Sequence, residues 1–552
     1  MYKKDLALKA LLFIFSTFFL SVSSSANAIN SGDQVGGVLE VVEDVDTYSF
    51  TASAGDSIQI SVSGDIGVQA KLYAPDATFV SSSTSVLVQN SLTQNGTYSI
   101  EISAVSATQT GNYDLHFVRI PSANEHGALI SGTSVTETLT AGDLDSFTFD
   151  AVAGESVQLS IAGDVSAYLY VYLPDGTYYN YATSVLDLRP LPATGTYTVV
   201  VRSVGAFNTG SYELHYVRIP SANEHGALTS GDSVTETLTV GDLDSFTFDA
   251  IAGESVQLSV AGNVSAYIYV YLPDGTYYNY ATSVLDLRPL PATGTYTVVV
   301  RTVGAFSTGS YELHYVRIPS ANEHGALTSG DSVTETLTAG DLDSFTFDAV
   351  AGESVQLSVA GDVSTYVYVY SPDGTYYNAA TSVLDLRPLP ATGTYTVVVR
   401  TVGAFNTGSY ELHYVRIPSA NEHGGLTNSG TVAEFLTAGD LDSYTFVAAS
   451  GESGSLSISG SISTYLYIYN PDGTYKTSTT SSVNLNFTST GTYTVVVRSV
   501  GAFQDGDYDI NYELPDQPEP VTTQEQVPLP LWILVACAFG ILVIARKYGI
   551  AK

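Results

Sequence analysis

Apolar and polar residues alternate in short runs along most of this chain, with a period of two. Phe147 and Phe149 alternate with Ser and Thr, and Val157, Leu159 and Ile161 alternate with Gln158 and Ser160. That period belongs to strands with one buried face. Over residues 126–224 it predicts strands at 135–140, 146–152, 156–162, 167–173, 184–188, 195–204 and 211–219. Ala153-Gly154-Glu155, Pro174-Asp175-Gly176 and Ala193-Thr194-Gly195 supply the turns between them. About seven short antiparallel strands in under 100 residues read as a β-sandwich.

The pattern then repeats. His126-Gly127, His225-Gly226, His324-Gly325 and His423-Gly424 recur every 99 residues, each after a Val-Arg-Ile-Pro-Ser-Ala-Asn-Glu string. Units 225–323 and 324–422 differ at eight of 99 positions, with Tyr280/Ala379 and Leu272/Ser371 the largest changes. Residues 29–125 and 423–513 are more divergent copies, as end repeats tend to be. The expectation is five modules, 29–125, 126–224, 225–323, 324–422 and 423–513, each long enough to bury its own core.

Two segments break the alternation. Residues 1–28 carry Lys3, Lys4 and Lys9, an apolar stretch, and then Ala26-Asn27-Ala28, the form of an export signal cleaved after Ala28. At the other end, a Pro-rich linker over 514–528 leads into 17 residues, 529–545, that are apolar apart from Gly540. Trp532 sits near the start of this segment, and a basic tail, 546–552, follows it. This is the pattern of a short transmembrane helix with its C-terminus on the cytoplasmic side. The full expectation is all-β, five tandem jelly-roll-like β-sandwich modules plus one C-terminal transmembrane helix, exported and held at the cell envelope or surface.

Composition narrows the function. The formal net charge is −36, and Lys71 and Lys476 are the only lysines between residues 29 and 528. Tracking a phosphate backbone needs clustered Lys and Arg, so nucleic-acid binding is excluded. The single cysteine, Cys537, excludes a disulfide framework. The eight histidines fall into two repeat-register sets, His116, His215, His314, His413 and His126, His225, His324, His423. Catalytic sites are usually built from single-copy residues, and no Gly-x-Ser-x-Gly elbow is present. The reading is therefore non-enzymatic.

An ordered set of motifs carries a family resemblance. Leu-Thr-Ala-Gly-Asp143-Leu-Asp145-Ser-Phe-Thr-Phe is followed by Pro-Asp175-Gly176-Thr, Gly195-Thr-Tyr197-Thr-Val-Val-Val and Gly210-Ser-Tyr212-Glu-Leu. The set resembles tandem bacterial pre-peptidase C-terminal (PPC) domains, with Ala77 replacing the turn glycine in the first module. The C-terminal tail, with Pro528, the apolar segment and the basic end, resembles Gram-negative PEP-CTERM sorting signals. Its Pro-Glu-Pro lies at 518–520, further upstream than that family places it. These resemblances imply a jelly-roll-like sandwich and a sorting transpeptidase as a partner of the tail. A plain membrane anchor is the other reading of the same tail.

Two sets of residues are candidate sites. Asp44/Asp46, Asp143/Asp145, Asp242/Asp244, Asp341/Asp343 and Asp440/Asp442 stand two apart at strand starts, so both carboxylates of a pair can point to one side. They are candidates for calcium, which needs six to eight hard oxygens. By analogy with calcium-binding relatives, Asn124-Glu125, Asn223-Glu224, Asn322-Glu323 and Asn421-Glu422 would add ligands. The alternative is that the first Asp caps its turn and the second is solvated. Pairs such as His116 and His126 make a weak zinc site, because no third ligand is signalled.

The second set is aromatic. Tyr168, Tyr170 and Tyr172 share one strand face, as do Tyr267, Tyr269, Tyr271 and Tyr366, Tyr368, Tyr370. If the aliphatic face is inward, each middle module displays an aromatic stripe suited to polysaccharide or extracellular matrix protein. The functional expectation is surface-anchored adhesion or matrix attachment. The alternatives are a passive stalk or coat, and a scaffold for a secreted hydrolase.

Overall fold

The structure is a computed structural model that describes residues 26–304, 306–501 and 503–515. The segments expected to act as export signal, sorting tail and transmembrane helix (529–545) lie outside the described residues, except for residues 26–28. Among the described residues no helix is long and apolar enough to cross a membrane. The chain divides into two compact units. One runs up to Ala351 and takes in Gln356–Tyr414; the other holds Gly352–Val355 and the chain from Val415 on.

Every module is all-β. In the second module the strands are β1 (Thr133–Leu139), β2 (Asp145–Ala151), β3 (Ser156–Gly163), β4 (Ala167–Tyr172), β5 (Tyr178–Ala182), β6 (Val185–Leu188), β7 (Gly195–Ser203) and β8 (Gly210–Ile219). One sheet has the order β1-β8-β3-β6 and its partner β2-β7-β4-β5. That is the order of a jelly roll, in which two Greek keys close into two antiparallel sheets. All five modules repeat it, and the first adds Asn27–Ala28 in parallel beside its β2.

The alternation explains which faces meet. Phe147, Phe149, Val157, Leu159, Leu169, Val171, Val199 and Val201 all lie in one buried cluster between the sheets. The aliphatic face of β4 is inward, as the pattern predicts. The strand absent from the sequence reading is β5, since Tyr178-Tyr179-Asn180-Tyr181 shows no apolar alternation. It forms because the Pro-Asp-Gly turn folds it back on β4, pairing Tyr170 with Tyr181. Asp175 Oδ1 accepts the Thr177 amide at 2.9 Å and holds that turn.

Candidate functional site

The chemically distinctive residues gather where one module meets the next. The β4 tyrosines face away from their own core and are covered to different depths, with Tyr168, Tyr170, Tyr267 and Tyr366 half-buried. Tyr172, Tyr271 and Tyr370 are fully buried, and Tyr269 and Tyr368 nearly so. Tyr271 packs in a small cluster with Val217, Ile219, Ala222, Leu243 and Val299, so the end of one module and the β4 face of the next share an apolar seam. Tyr172 and Tyr370 occupy the same place in the neighbouring seams. The deeper tyrosines of the stripe expected as a display surface thus lie inside the joint, while Tyr168, Tyr170, Tyr267 and Tyr366 keep partial exposure.

Polar contacts fix the register of each seam. The buried amides of Gln59, Gln158 and Gln257 donate to Tyr172, Tyr271 and Tyr370 hydroxyls at 2.8, 2.5 and 2.5 Å. Arg189 lies over the Tyr277 ring of the following module, 3.8 Å from its centroid, and reaches Asp187 at 3.1 Å. Arg288 repeats this over Tyr376 at 4.0 Å. Burial pushes the Asp187 and Asp286 carboxyls up, and their arginines work against that shift. The stacking of these arginines on the next module leaves no signal in the sequence.

The two aspartates of each pair have separate roles. Asp143 Oδ2 accepts the Thr140 amide at 3.0 Å, so it caps its turn. Its Oδ1 lies 3.3 Å from Nδ1 of His116 in the preceding module. Burial raises the Asp143 carboxyl, but His116 and Thr140 outweigh it and hold the group below its ordinary range. Asp145 is buried, and its Oδ2 accepts the Tyr212 hydroxyl at 2.6 Å. Desolvation raises its carboxyl, and burial beside Asp145 pushes the Tyr212 phenol far up, leaving it a permanent donor.

The residues expected to bind calcium also have partners within the protein. Asn124 Oδ1 is occupied by the Thr148 hydroxyl at 3.1 Å, and Asn223, Asn322 and Asn421 are held in the same way. Asp143 turns its Oδ1 to the histidine of the preceding module, while Asp145 gives its Oδ2 to the Tyr212 hydroxyl. In the first module Asp44 caps the Glu40 amide and Asp46 accepts from Tyr113.

What does converge is Glu125, His126 and Asp145, with one ligand atom from each lying within 4.8 Å of the others. Glu224-His225-Asp244, Glu323-His324-Asp343 and Glu422-His423-Asp442 repeat it. His126 stacks on Phe147 with its Nδ1 3.3 Å from Glu137 and its Nε2 3.4 Å from Asp145. Glu224 and Glu323 still reach solvent, yet desolvation and the neighbouring aspartates push both carboxyls up to about 7. The sequence names Glu125 and Asp145 for calcium and pairs His126 only with His116, with no third ligand signalled; the fold instead brings His126 to Glu125 and Asp145.

No known protein family matches the chain, and no curated protein matches it. Among solved structures, the CUB1-EGF-CUB2 region of human MASP-1/3 is similar at 9% identity over 34% of this chain and 94% of that one, with a TM-score of 0.11. The lipid-containing bacteriophage PM2 structure matches at 12% identity over 51% of this chain and 86% of that one, with a TM-score of 0.12. Similarities this low carry no functional argument.

Proposed function

We propose that this protein is a non-enzymatic, surface-anchored spacer built from PPC-like modules, exported by its N-terminal segment and held by its C-terminal apolar helix. The observation that supports this reading is the use of the tyrosines, glutamines and arginines as joints between modules. Each joint restricts how one module swings on the next, which a spacer needs and a string of independent binding domains does not. The Glu-His-Asp grouping recurs in four of the five modules, so it suits repeated structure better than a single reaction site.

Attachment to polysaccharide or matrix protein is the second reading, and one observation favours it. Phe207, Phe306, Phe405 and Phe503 recur on one loop of successive modules with 46, 63, 59 and 59% of each residue exposed. Repeated weak sites gain avidity without new contacts. Deleting residues 225–323, one full repeat, tests the spacer reading on cells. The height of a first-module epitope above the membrane should fall by one module length; an unchanged height would refute it. Glycan and matrix binding by a variant with the four phenylalanines replaced by Ser tests the second reading separately.

A further inference from the structure

We propose that each Glu-His-Asp triad is a site for one divalent transition-metal ion of the zinc class, which ties the inter-module linker to strand β2 of the module it enters. The proposal is independent of whether the protein is a spacer or an adhesin.

The donor set is the first argument. In the third module, Glu224, His225 and Asp244 offer two carboxylate oxygens and one imidazole nitrogen within 4.8 Å of one another. Two carboxylates and an imidazole suit zinc-class ions, which accept nitrogen and need only four ligands, with water completing the set. Calcium, bound by oxygen alone, does not fit.

The supports behind the ligands are the second. His225 Nδ1 lies 3.4 Å from Glu236, and Asp244 Oδ2 is held by the Tyr311 hydroxyl at 2.6 Å. A carboxylate behind one imidazole nitrogen fixes the other as a metal ligand. That other nitrogen, His225 Nε2, is buried and makes no hydrogen bond, although Asp244 Oδ1 is only 3.3 Å away. The two atoms are close without being aligned on each other, as donors converging on a third body would be.

The surroundings are the third. A cavity of about 210 Å³ beside the triad is lined by Glu224, Glu213, Asp242 and His215. His215 is 7% exposed, and its Nε2 also has no hydrogen-bond partner. A cavity of about 190 Å³ repeats this beside Glu323, with Glu312, Asp341 and His314. Glu213, Glu224 and Asp242 line the first cavity with His215, and no lysine or arginine is among its lining residues. A protonated histidine between two carboxylates would explain two contacts of each triad, but not the third carboxylate turned to the same point.

The repeats themselves supply a control. The first module has Ala26 where the others have histidine and Gly37 where they have Glu137, Glu236, Glu335 and Glu434. Ligand and supporting carboxylate are lost together in the one module where no such triad is found among the described residues.

Titration of the full-length protein, stripped with a chelator, with Co²⁺ and Zn²⁺ tests the proposal, read by metal analysis and by the visible Co²⁺ spectrum. The expected result is four ions per chain, with excess calcium unable to displace them. His225→Ala should lower the count to three, the other sites reporting that the chain is folded. Glu323→Gln, which keeps every histidine, should weaken one site, and Glu236→Gln should weaken another by about 10- to 100-fold. Fewer than one ion per chain, a count unchanged by His225→Ala, or equal competition by calcium would overturn it.

Discussion

Replacing Tyr271 with Phe removes one oxygen atom from the joint between the second and third modules. The ring still fills the seam, so the apolar packing is preserved. The loss falls on Gln158, which is fully buried and donates its amide to the Tyr271 hydroxyl at 2.5 Å. The other side-chain atom of Gln158, Oε1, already lacks a hydrogen-bond partner among the described residues. The variant thus strands a buried amide with no compensation, at about 1–3 kcal/mol. Adding Gln158→Leu should restore most of that loss, because two apolar groups of similar shape then face each other. Urea unfolding of the parent, both single variants and the double variant closes the cycle. Hydrogen exchange at Val217 and Ile219 would locate the weakening in the seam. The reasoning fails if Tyr271→Phe is neutral, or if the double variant is as unstable as the sum of the singles, since either outcome means the bond does not couple the modules.

Three further outcomes follow from the same geometry. Glu224 and Glu323 titrate near 7 in the folded chain against an ordinary value of 4.5, so folding takes up protons between those values. The metal-free protein should therefore be more stable at pH 5 than at pH 7.5, and Glu224→Gln with Glu323→Gln should flatten that dependence in thermal melts. Gly163→Ala should destabilise by about 3 kcal/mol by calorimetry, because its Cβ would stand 2.3 Å from the Ser211 carbonyl oxygen in the β3–β8 pairing. Arg288→Lys should weaken its joint by about 1–2 kcal/mol through lost stacking on Tyr376. Arg288→Ala should do more harm in the same melts, since Asp286 is then left half-buried without its cation.

The period-two alternation was enough to place seven of the eight strands and the inward face of β4, because burial between two sheets leaves that signature in a single strand. It could not show what covers the other face. Tyr168, Tyr170 and Tyr172 read in the sequence as a display surface, and the partner that covers Tyr172 lies 113 residues away, as the Gln59–Tyr172 bond shows. The surroundings of Asp143 and Asp145 were hidden for a related reason. Spacing along a strand puts both residues on one face, but Asp143 precedes β2 in a turn and points at a histidine of another module. Glu137, which orients His126, becomes visible only once β1 pairs with β8 opposite Tyr212.

The end modules make sense once each joint is seen as two unlike faces. The trailing face of a module presents Gln158 and His215; the leading face of the next presents Tyr267, Tyr269, Tyr271 and Asp242. A middle module carries both faces, which explains why the units at 225–323 and 324–422 scarcely differ. The first module keeps the trailing pair, Gln59 and His116, but its leading strand carries Gln69 and Lys71 in place of two tyrosines. The last keeps Tyr465, Tyr467 and Tyr469, but has Ser455 and Asn511 where glutamine and histidine would trail. Both outer ends are thus mismatched for joining, a cap against head-to-tail growth. A fragment of residues 126–323 has complementary faces at its two ends, so it should associate head to tail, with light-scattering mass rising with concentration. A fragment of residues 26–224, whose first module is capped, should remain monomeric under the same conditions. A monomeric 126–323 that is fully folded would mean the seams are too weak to join modules without the covalent linker, and that the divergence of the end modules has another cause.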